Sequence, residues 1–287
     1  MSILKKRYKK KLFIIGYGFL AKSLIDYLNK KKSYNVFCIS RFSSFKQKEN
    51  PNVKFIDITK LNKLKLNKSK IVINTLGNIN HDKFNSKSEN QIFVDHFYLP
   101  KKIIDNIEIN AKTLFIQIGS IDEIEQINKN KFYNTPYALF KHYFSNYLLT
   151  LKCNKILNSK IIYINSVFGK YQKNDRLIPI SINSLIKNQP FFPKNPKQKR
   201  NFISSDEFAE SIYKIIRNHK KFKDRIIIQS IFDYKVGDIV SFILEKTQIK
   251  KYKDKKNENS NYETFIVDEK LNIENKLEKT IDSYINE

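Results

Sequence analysis

KLFIIGYGFLAKSLIDYL, residues 11–28, decides how the chain is read. Leu12-Phe13-Ile14-Ile15 is a short apolar run rich in strand formers. Gly16-Tyr17-Gly18-Phe19-Leu20-Ala21 follows at once, spaced G-x-G-x-x-A. Leu20, Leu24 and Leu28 then recur at helical spacing, with Lys22 and Asp26 between them. Strand, glycine turn and helix in that order are the setting in which this spacing holds a dinucleotide. Gly16 allows the tight turn, Gly18 lets a pyrophosphate approach the backbone, and Ala21 lets the helix pack close to the strand. The helix opening at Phe19 and Leu20 offers free N–H groups and a partial positive charge to the phosphates. The plain alternative is a strand, turn and helix with incidental glycines, in a chain that has only six.

The 287 residues allow one large domain or two modest ones, and 41% hydrophobic residues supply a proper core. No run approaches the length of a membrane span. The basic stretch Lys5 to Lys11 is followed by too few apolar residues for a secretory leader. Cys38 and Cys153 form no metal or redox spacing, so a reduced, cytoplasmic setting is expected. His81, His96, His142 and His219 make no zinc pattern. The net charge of +26 comes from lysines spread along the whole chain. A nucleic-acid binder would cluster its positive charge, so no specific nucleic acid is expected as partner. Lys, Asn and Ile are abundant together and share A/T-rich codons, which points to genome bias and solvated lysines on every face.

Further strands read as Asn35 to Ser40, Val53 to Asp57, Lys70 to Thr75 and Thr113 to Ile118. Their ends place Asp57-Ile58 and Leu76-Gly77 at the carboxyl edge of the sheet, where a cofactor lies. The second strand ends in Ser40-Arg41, with no acidic residue for the ribose hydroxyls of NAD. Arg41 is either a surface charge or the partner of the 2′-phosphate of NADP. The cofactor is therefore expected to be NAD or NADP, with Arg41 favouring NADP. Asn90 to Ile109 reads as a long helix kinked at Pro100.

This alternation predicts an α/β fold, a Rossmann-like doubly wound parallel sheet. After residue 167 the rhythm loosens. Helices are expected at Ser205 to Asn218, Val236 to Lys246 and Leu271 to Ile285, a strand at Arg225 to Gln229, and a polar loop at Lys250 to Asn261. The expected organisation is a nucleotide-binding domain over 1–167, to which strand 225–229 returns, and a smaller substrate-binding subdomain over 168–287.

Thr135-Pro136-Tyr137-Ala138-Leu139-Phe140-Lys141 is the second motif. Thr135 suits an N-cap and Pro136 the first helical position. Tyr137 and Lys141 then share a helix face, where an ammonium favours the phenolate and makes the phenol a usable acid/base. Asp122-Glu123-Ile124-Glu125 reads as carboxylates on a solvated loop.

Taken in order, the glycine turn, the strand ending in Gly119-Ser120 and Tyr137-x-x-x-Lys141 resemble the extended short-chain dehydrogenase/reductases, the NAD(P)-dependent epimerase/dehydratase family. Ser166-Val167-Phe168-Gly169 is similar to the family's N-V-Y-G, and Arg200-Asn201-Phe202-Ile203 to its R-D-F-I. The chain departs from the family in its G-x-G-x-x-A turn, in Tyr163 where the family has Arg, and in Ser166 in place of Asn. The resemblance implies Tyr137 as acid/base, Lys141 on the nicotinamide ribose, Ser120 on the substrate oxygen, and Ser166 and Arg200 on the substrate. It further implies a nucleotide-sugar substrate and a homodimer. Asp122 and Glu123 match the dehydratase S-T-D-E pattern only if Ile121 stands at the hydroxyl position. The expected activity is 4-keto-sugar reduction. The alternatives are a 4-epimerase or 4,6-dehydratase with bound NAD, or a non-catalytic NAD(P)-binding regulator.

Overall fold

Four consecutive buried apolar residues, Leu12 to Ile15, make β1 (Lys10–Ile15) a strand covered on both faces. In the computed structural model β1 is parallel to β2 (Tyr34–Ser40) on one side and to β4 (Ile71–Asn74) on the other. The structure describes residues 10–41, 46–47, 50–63, 71–77, 86–107, 109–124, 133, 135–187, 191–246 and 269–273. The chain divides into two compact units, Met1–Ile162 and Tyr163–Glu287.

In the first unit β3 (Lys54–Asp57) extends the sheet beyond β2, and β5 (Leu114–Ser120) extends it beyond β4. With β6 (Asn158–Ile164) the order is β3-β2-β1-β4-β5-β6. The order reverses between β1 and β4, and that crevice is where a doubly wound sheet binds its ligand. Helix α1 (Phe19–Lys31) buries Ala21, Leu24, Ile25 and Leu28. Each of the larger three contributes about 1.5–3 kcal/mol of transfer free energy. Its end is set by Lys32 in the left-handed conformation.

The long helix expected at Asn90 to Ile109 is instead α2 (Ser86–Phe93), a π-helical turn (Val94–Tyr98) and α3 (Leu99–Asn106). Pro100 explains the break. It has no N–H to give the carbonyl of His96, and its ring would strike that carbonyl in a regular helix. The wider turn, in which the Leu99 N–H reaches Val94 O, relieves the clash. Ile107 is already extended, so the helix stops before Ile109. Helix α4 (Pro136–Cys153) starts as its motif predicts, with Thr135 Oγ1 accepting from the Ala138 N–H at 3.3 Å.

In the second unit β8 (Lys199–Ser204) runs parallel to β7 (Ser166–Phe168) and antiparallel to β10 (Asp233–Lys235). Phe168, Phe202, Ile178 and Ile182 of α5 (Leu177–Ile186), and Ile239 and Ile243 of α7 (Val236–Lys246), form its core. Helix α6 (Ser205–Arg217) opens on a capping box: Ser204 Oγ accepts from the Glu207 N–H at 3.2 Å, and Glu207 Oε2 from the Ser204 N–H at 2.7 Å. β9 (Arg225–Ser230) is parallel to β11 (Glu269–Ile273). β11 corrects the closing helix expected from Leu271. Leu271 and Ile273 alternate with Lys270 and Asn272, a strand period that pairing with β9 selects. The rest of that helix and the loop at Lys250 to Asn261 lie outside the described residues.

Candidate active site

The glycine turn is built to be approached. Its Gly16 N–H donates to Ile39 O at 2.9 Å, and Thr75 closes the other side, donating from N–H and Oγ1 to Ile15 O at 3.0 and 2.8 Å. Gly16 has φ +95, and a Cβ there would lie 3.2 Å from Leu76 Cδ2, so the turn requires glycine. A Cβ on Gly18 would meet nothing within 4 Å. The space beside that backbone is open, at the residue that precedes α1 and carries no side-chain cap. The first N–H groups of α1, from Phe19, Leu20 and Ala21, have no partners within the helix, and its first turn holds no acidic residue. Tyr17 is turned into an aromatic and cationic cluster: its ring meets Phe55 edge-on at 4.8 Å, with Lys22 Nζ 5.0 Å and Lys46 Nζ 5.6 Å from its centroid. Positive charge therefore surrounds a turn of free N–H donors, which suits a diphosphate.

Around this turn stand the other residues singled out for a cofactor. Ser40, at the end of β2, is buried, and its hydroxyl has no hydrogen-bond partner among the described residues. Such an orphan is what a ligand hydroxyl or phosphate would satisfy. Arg41 is exposed next to it, and its carbonyl accepts from Lys46 Nζ. Asp57 Oδ1 accepts from the Thr59 N–H at 2.9 Å and caps the short 3₁₀ turn that begins at Ile58. The Leu76 N–H is taken by Asn74 Oδ1 at 3.1 Å, while Gly77 is exposed. These groups fit a dinucleotide: an open turn, unpaired helix donors and an orphaned buried hydroxyl lie at the carboxyl ends of β1 and β2. Cys38 has no reactive role here. Its thiol donates to Gly16 O at 3.3 Å, and burial pushes its pKa up to about 12.

Tyr137 and Lys141 lie one turn apart on α4 and are 6% and 3% exposed. Lys141 Nζ is 5.6 Å from the Tyr137 ring centroid and donates to Ile118 O of β5 at 2.7 Å. An ammonium has three donors, so two are left beyond this bond. Burial pulls the Lys141 pKa down, while Glu123 and Asp122 push it back up. His96, on the π-helical turn, sets its buried ring edge-on against Tyr137 at 5.0 Å. Sequence reasoning missed His96 as a neighbour of the phenol. The one available signal was Pro100 four residues on, which forces the turn that carries it.

Ser120 and the acidic pair are placed differently from the sequence expectation. The Ser120 hydroxyl donates to Asp122 Oδ2 at 3.1 Å and accepts from the Asp122 N–H at 3.3 Å. Glu123 is not on a solvated loop: it is 0% exposed. Its Oε1 accepts from the Ser120 N–H at 2.8 Å and its Oε2 from Ser145 Oγ on α4 at 2.9 Å. Burial pushes its pKa up to about 7, against the pull of Lys141 and the two hydrogen bonds. The charge count alone could not show this, because the burial comes from a helix 22 residues further on.

Ser166 and Arg200 belong to the second unit. Ser166 opens β7 opposite Phe202. Arg200 is exposed on β8 and donates to Gln198 Oε1 at 3.1 Å. Among the described residues no three His, Cys, Asp or Glu side chains gather to hold a metal, and no helix is long and apolar enough to cross a membrane.

Residues 12–229 match the model of the NAD dependent epimerase/dehydratase family. No curated protein matches the chain. Similar solved structures include a variant UDP-glucuronic acid 4-epimerase from Bacillus cereus, bound to UDP-4-deoxy-4-fluoro-glucuronic acid and NAD. It is 16% identical with a TM-score of 0.71, covering 94% of this chain and 91% of that one. A UDP-N-acetylglucosamine 4-epimerase from Methanobrevibacter ruminantium, in complex with UDP-N-acetylmuramic acid, is 18% identical with a TM-score of 0.71, covering 97% and 99%. A dTDP-glucose 4,6-dehydratase from Bacillus anthracis, in complex with NAD, is 13% identical with a TM-score of 0.65, covering 84% and 82%. At these identities the likeness is one of fold.

Proposed function

Because the chain belongs to the NAD dependent epimerase/dehydratase family, we propose that it is a nucleotide-sugar 4-epimerase that works through a 4-keto sugar. The observation that carries this reading is the buried Tyr137–Lys141 pair, tethered to the end of β5 in the same unit as the open glycine turn. The 4-keto-sugar reduction expected from Arg41 is the weaker reading, since the named relatives are two 4-epimerases and a 4,6-dehydratase. A dehydratase is disfavoured by Glu123, whose two carboxylate oxygens are held by Ser120 and Ser145 inside the protein.

Bound NAD would accept and return the hydride. Phe19, Leu20 and Ala21 N–H groups would hold its diphosphate, and the remaining Lys141 donors its nicotinamide ribose. The Tyr137 phenolate would take the proton from the C4 hydroxyl and later give it back to the C4 oxygen, inversion arising because the hydride would return to the opposite face of the 4-keto carbon. Ser120 is proposed for the substrate oxygen once its hydroxyl turns from Asp122, Arg200 for the nucleotide diphosphate, and Ser166 as a further substrate-binding residue. A homodimer is supported by the exposed aromatic residues Phe93, Tyr98 and Tyr143, at 36%, 50% and 51%.

The test is to incubate protein and NAD with UDP-glucuronic acid or UDP-N-acetylglucosamine and separate the products by chromatography. The expected result is conversion to the C4 epimer with no net change in NAD. Loss of water from the sugar would instead assign a dehydratase. One-way consumption of reduced cofactor by a 4-keto sugar would assign a reductase.

The 2′ position of the cofactor has its own test. With Ser40 orphaned and Arg41 beside it, the site is read as tolerating a 2′-phosphate. Arg41→Ala should weaken NADP binding about tenfold, the worth of one charge-assisted contact of about 1.4 kcal/mol. NAD binding should change little. Equal losses for both cofactors in calorimetry would remove Arg41 from the phosphate site.

A further inference from the structure

We infer that Glu123 is a positioning residue which supplies the counter-charge for the buried ammonium of Lys141 and through it sets the ionisation of Tyr137. The inference rests on the reading of Tyr137 as the acid/base.

Glu123 is joined to the machinery from two sides. One oxygen holds the Ser120 N–H at the end of β5, and the other holds Ser145, one helical turn beyond Lys141 on α4. The carboxylate is thus fixed between the strand whose Ile118 carbonyl receives Lys141 and the helix that carries Lys141 and Tyr137. A neutral carbonyl cannot balance a buried ammonium, because charge taken out of water needs an opposing charge. Glu123 is the leading group that raises the Lys141 pKa against burial, and Asp122 adds to it.

A capping box alone would explain the bond to Ser120. It would not explain full burial of the acid or the second bond, to Ser145 on another element. Among the described residues, the charged and titratable groups facing this cluster are few. Lys141 and Asp122 face Glu123, and Glu123 in turn acts on Tyr133, which precedes α4. Lys141 and His96 face Tyr137.

The chain of effects runs in one direction above the carboxyl's own midpoint, which burial sets at about 7. There Glu123 is ionised and lends its negative charge to the Lys141 ammonium, which lies 5.6 Å from the Tyr137 ring centroid. In Glu123→Gln both hydrogen bonds can be kept, but the counter-charge is gone. Lys141 then loses its proton at lower pH, and the phenolate loses its cation.

The experiment is an ultraviolet titration of phenolate on the full chain, taken as the difference between each protein and its Tyr137→Phe counterpart. This isolates Tyr137 from the other tyrosines and requires no substrate. The Tyr137 midpoint should rise by about one unit or more in the Glu123→Gln background, a tenfold loss of phenolate at fixed pH. A midpoint that stays or falls overturns the inference, whereas a fold-only role for Glu123 would lower the melting temperature and leave the titration in place. Failure of the 4-epimerase reading is seen separately, as no epimer formed by the wild-type protein.

If Glu123→Gln does not fold, the coupling is read from its other partner. Burial pushes the folded Glu123 carboxyl up to about 7 from an ordinary 4.5, so between these values it holds a proton that the unfolded chain has already lost. Stability attributable to it therefore falls as pH rises from 4.5 to about 7. Lys141→Met removes the cation and must carry the upper end of that window to higher pH, as seen in urea unfolding across pH. A window that does not move overturns the inference.

Discussion

Tyr137→Phe will cut the proposed epimerisation about 10²–10⁴-fold, the usual worth of a positioned acid/base, and will leave NAD bound. The substitution is close to ideal because the ring has a packing role of its own. It is buried and meets the His96 ring edge-on at 5.0 Å, and phenylalanine keeps that contact while removing only the hydroxyl. Lys141 keeps its bond to Ile118 O, so the part of the site assigned to the nicotinamide ribose stays in place. The comparison is made at one pH on protein with the wild-type melting temperature. Unchanged turnover would take Tyr137 out of the mechanism, and loss of both turnover and NAD would mean that the site had collapsed.

The two glycines of the turn should fail in different ways. Gly18 sits at φ −90 and ψ −167, a conformation open to any residue, with open space where a Cβ would go. Gly18→Val should therefore fold with stability within about 0.5 kcal/mol of the wild type. Its side chain would fill the space that a pyrophosphate must enter, and NAD affinity should drop about 100-fold, or about 2.8 kcal/mol. Gly16→Ala meets the opposite situation, with φ +95 and Leu76 Cδ2 only 3.2 Å from the new Cβ. It should lose about 1–3 kcal/mol of stability through backbone strain alone. Melting curves and NAD calorimetry on the two variants separate the roles. A Gly18→Val protein that binds NAD normally would mean the diphosphate lies elsewhere.

These two motifs were legible because their physics is local. The spacing of the glycine turn is contained within six residues, although Ile39 and Thr75 close it from elsewhere in the chain, and the Thr135 cap, Pro136 and the Tyr137–Lys141 spacing all fall within two helical turns. Glu123 was not legible. Its charge suggested solvent, and only the packing of α4 against the end of β5 buries it. His96 was hidden for a related reason, since a regular helix through Pro100 would have pointed it differently. The resemblance implies a Ser120 hydroxyl that faces substrate, yet in the structure it is held by Asp122, a choice made by a local turn that sequence order leaves open. At the end of the chain, an apolar residue at every second position competed with a helical stripe, and pairing with β9 decided for the strand.

A crystal structure of the protein with NAD tests the central claim most directly. The account predicts diphosphate oxygens on the N–H groups of Phe19 and Leu20 beside Gly18, a ribose held by Lys141, and the nicotinamide ring next to the Tyr137 hydroxyl. A dinucleotide bound away from the Gly16–Ala21 turn, or one whose nicotinamide lies out of reach of Tyr137, would contradict it.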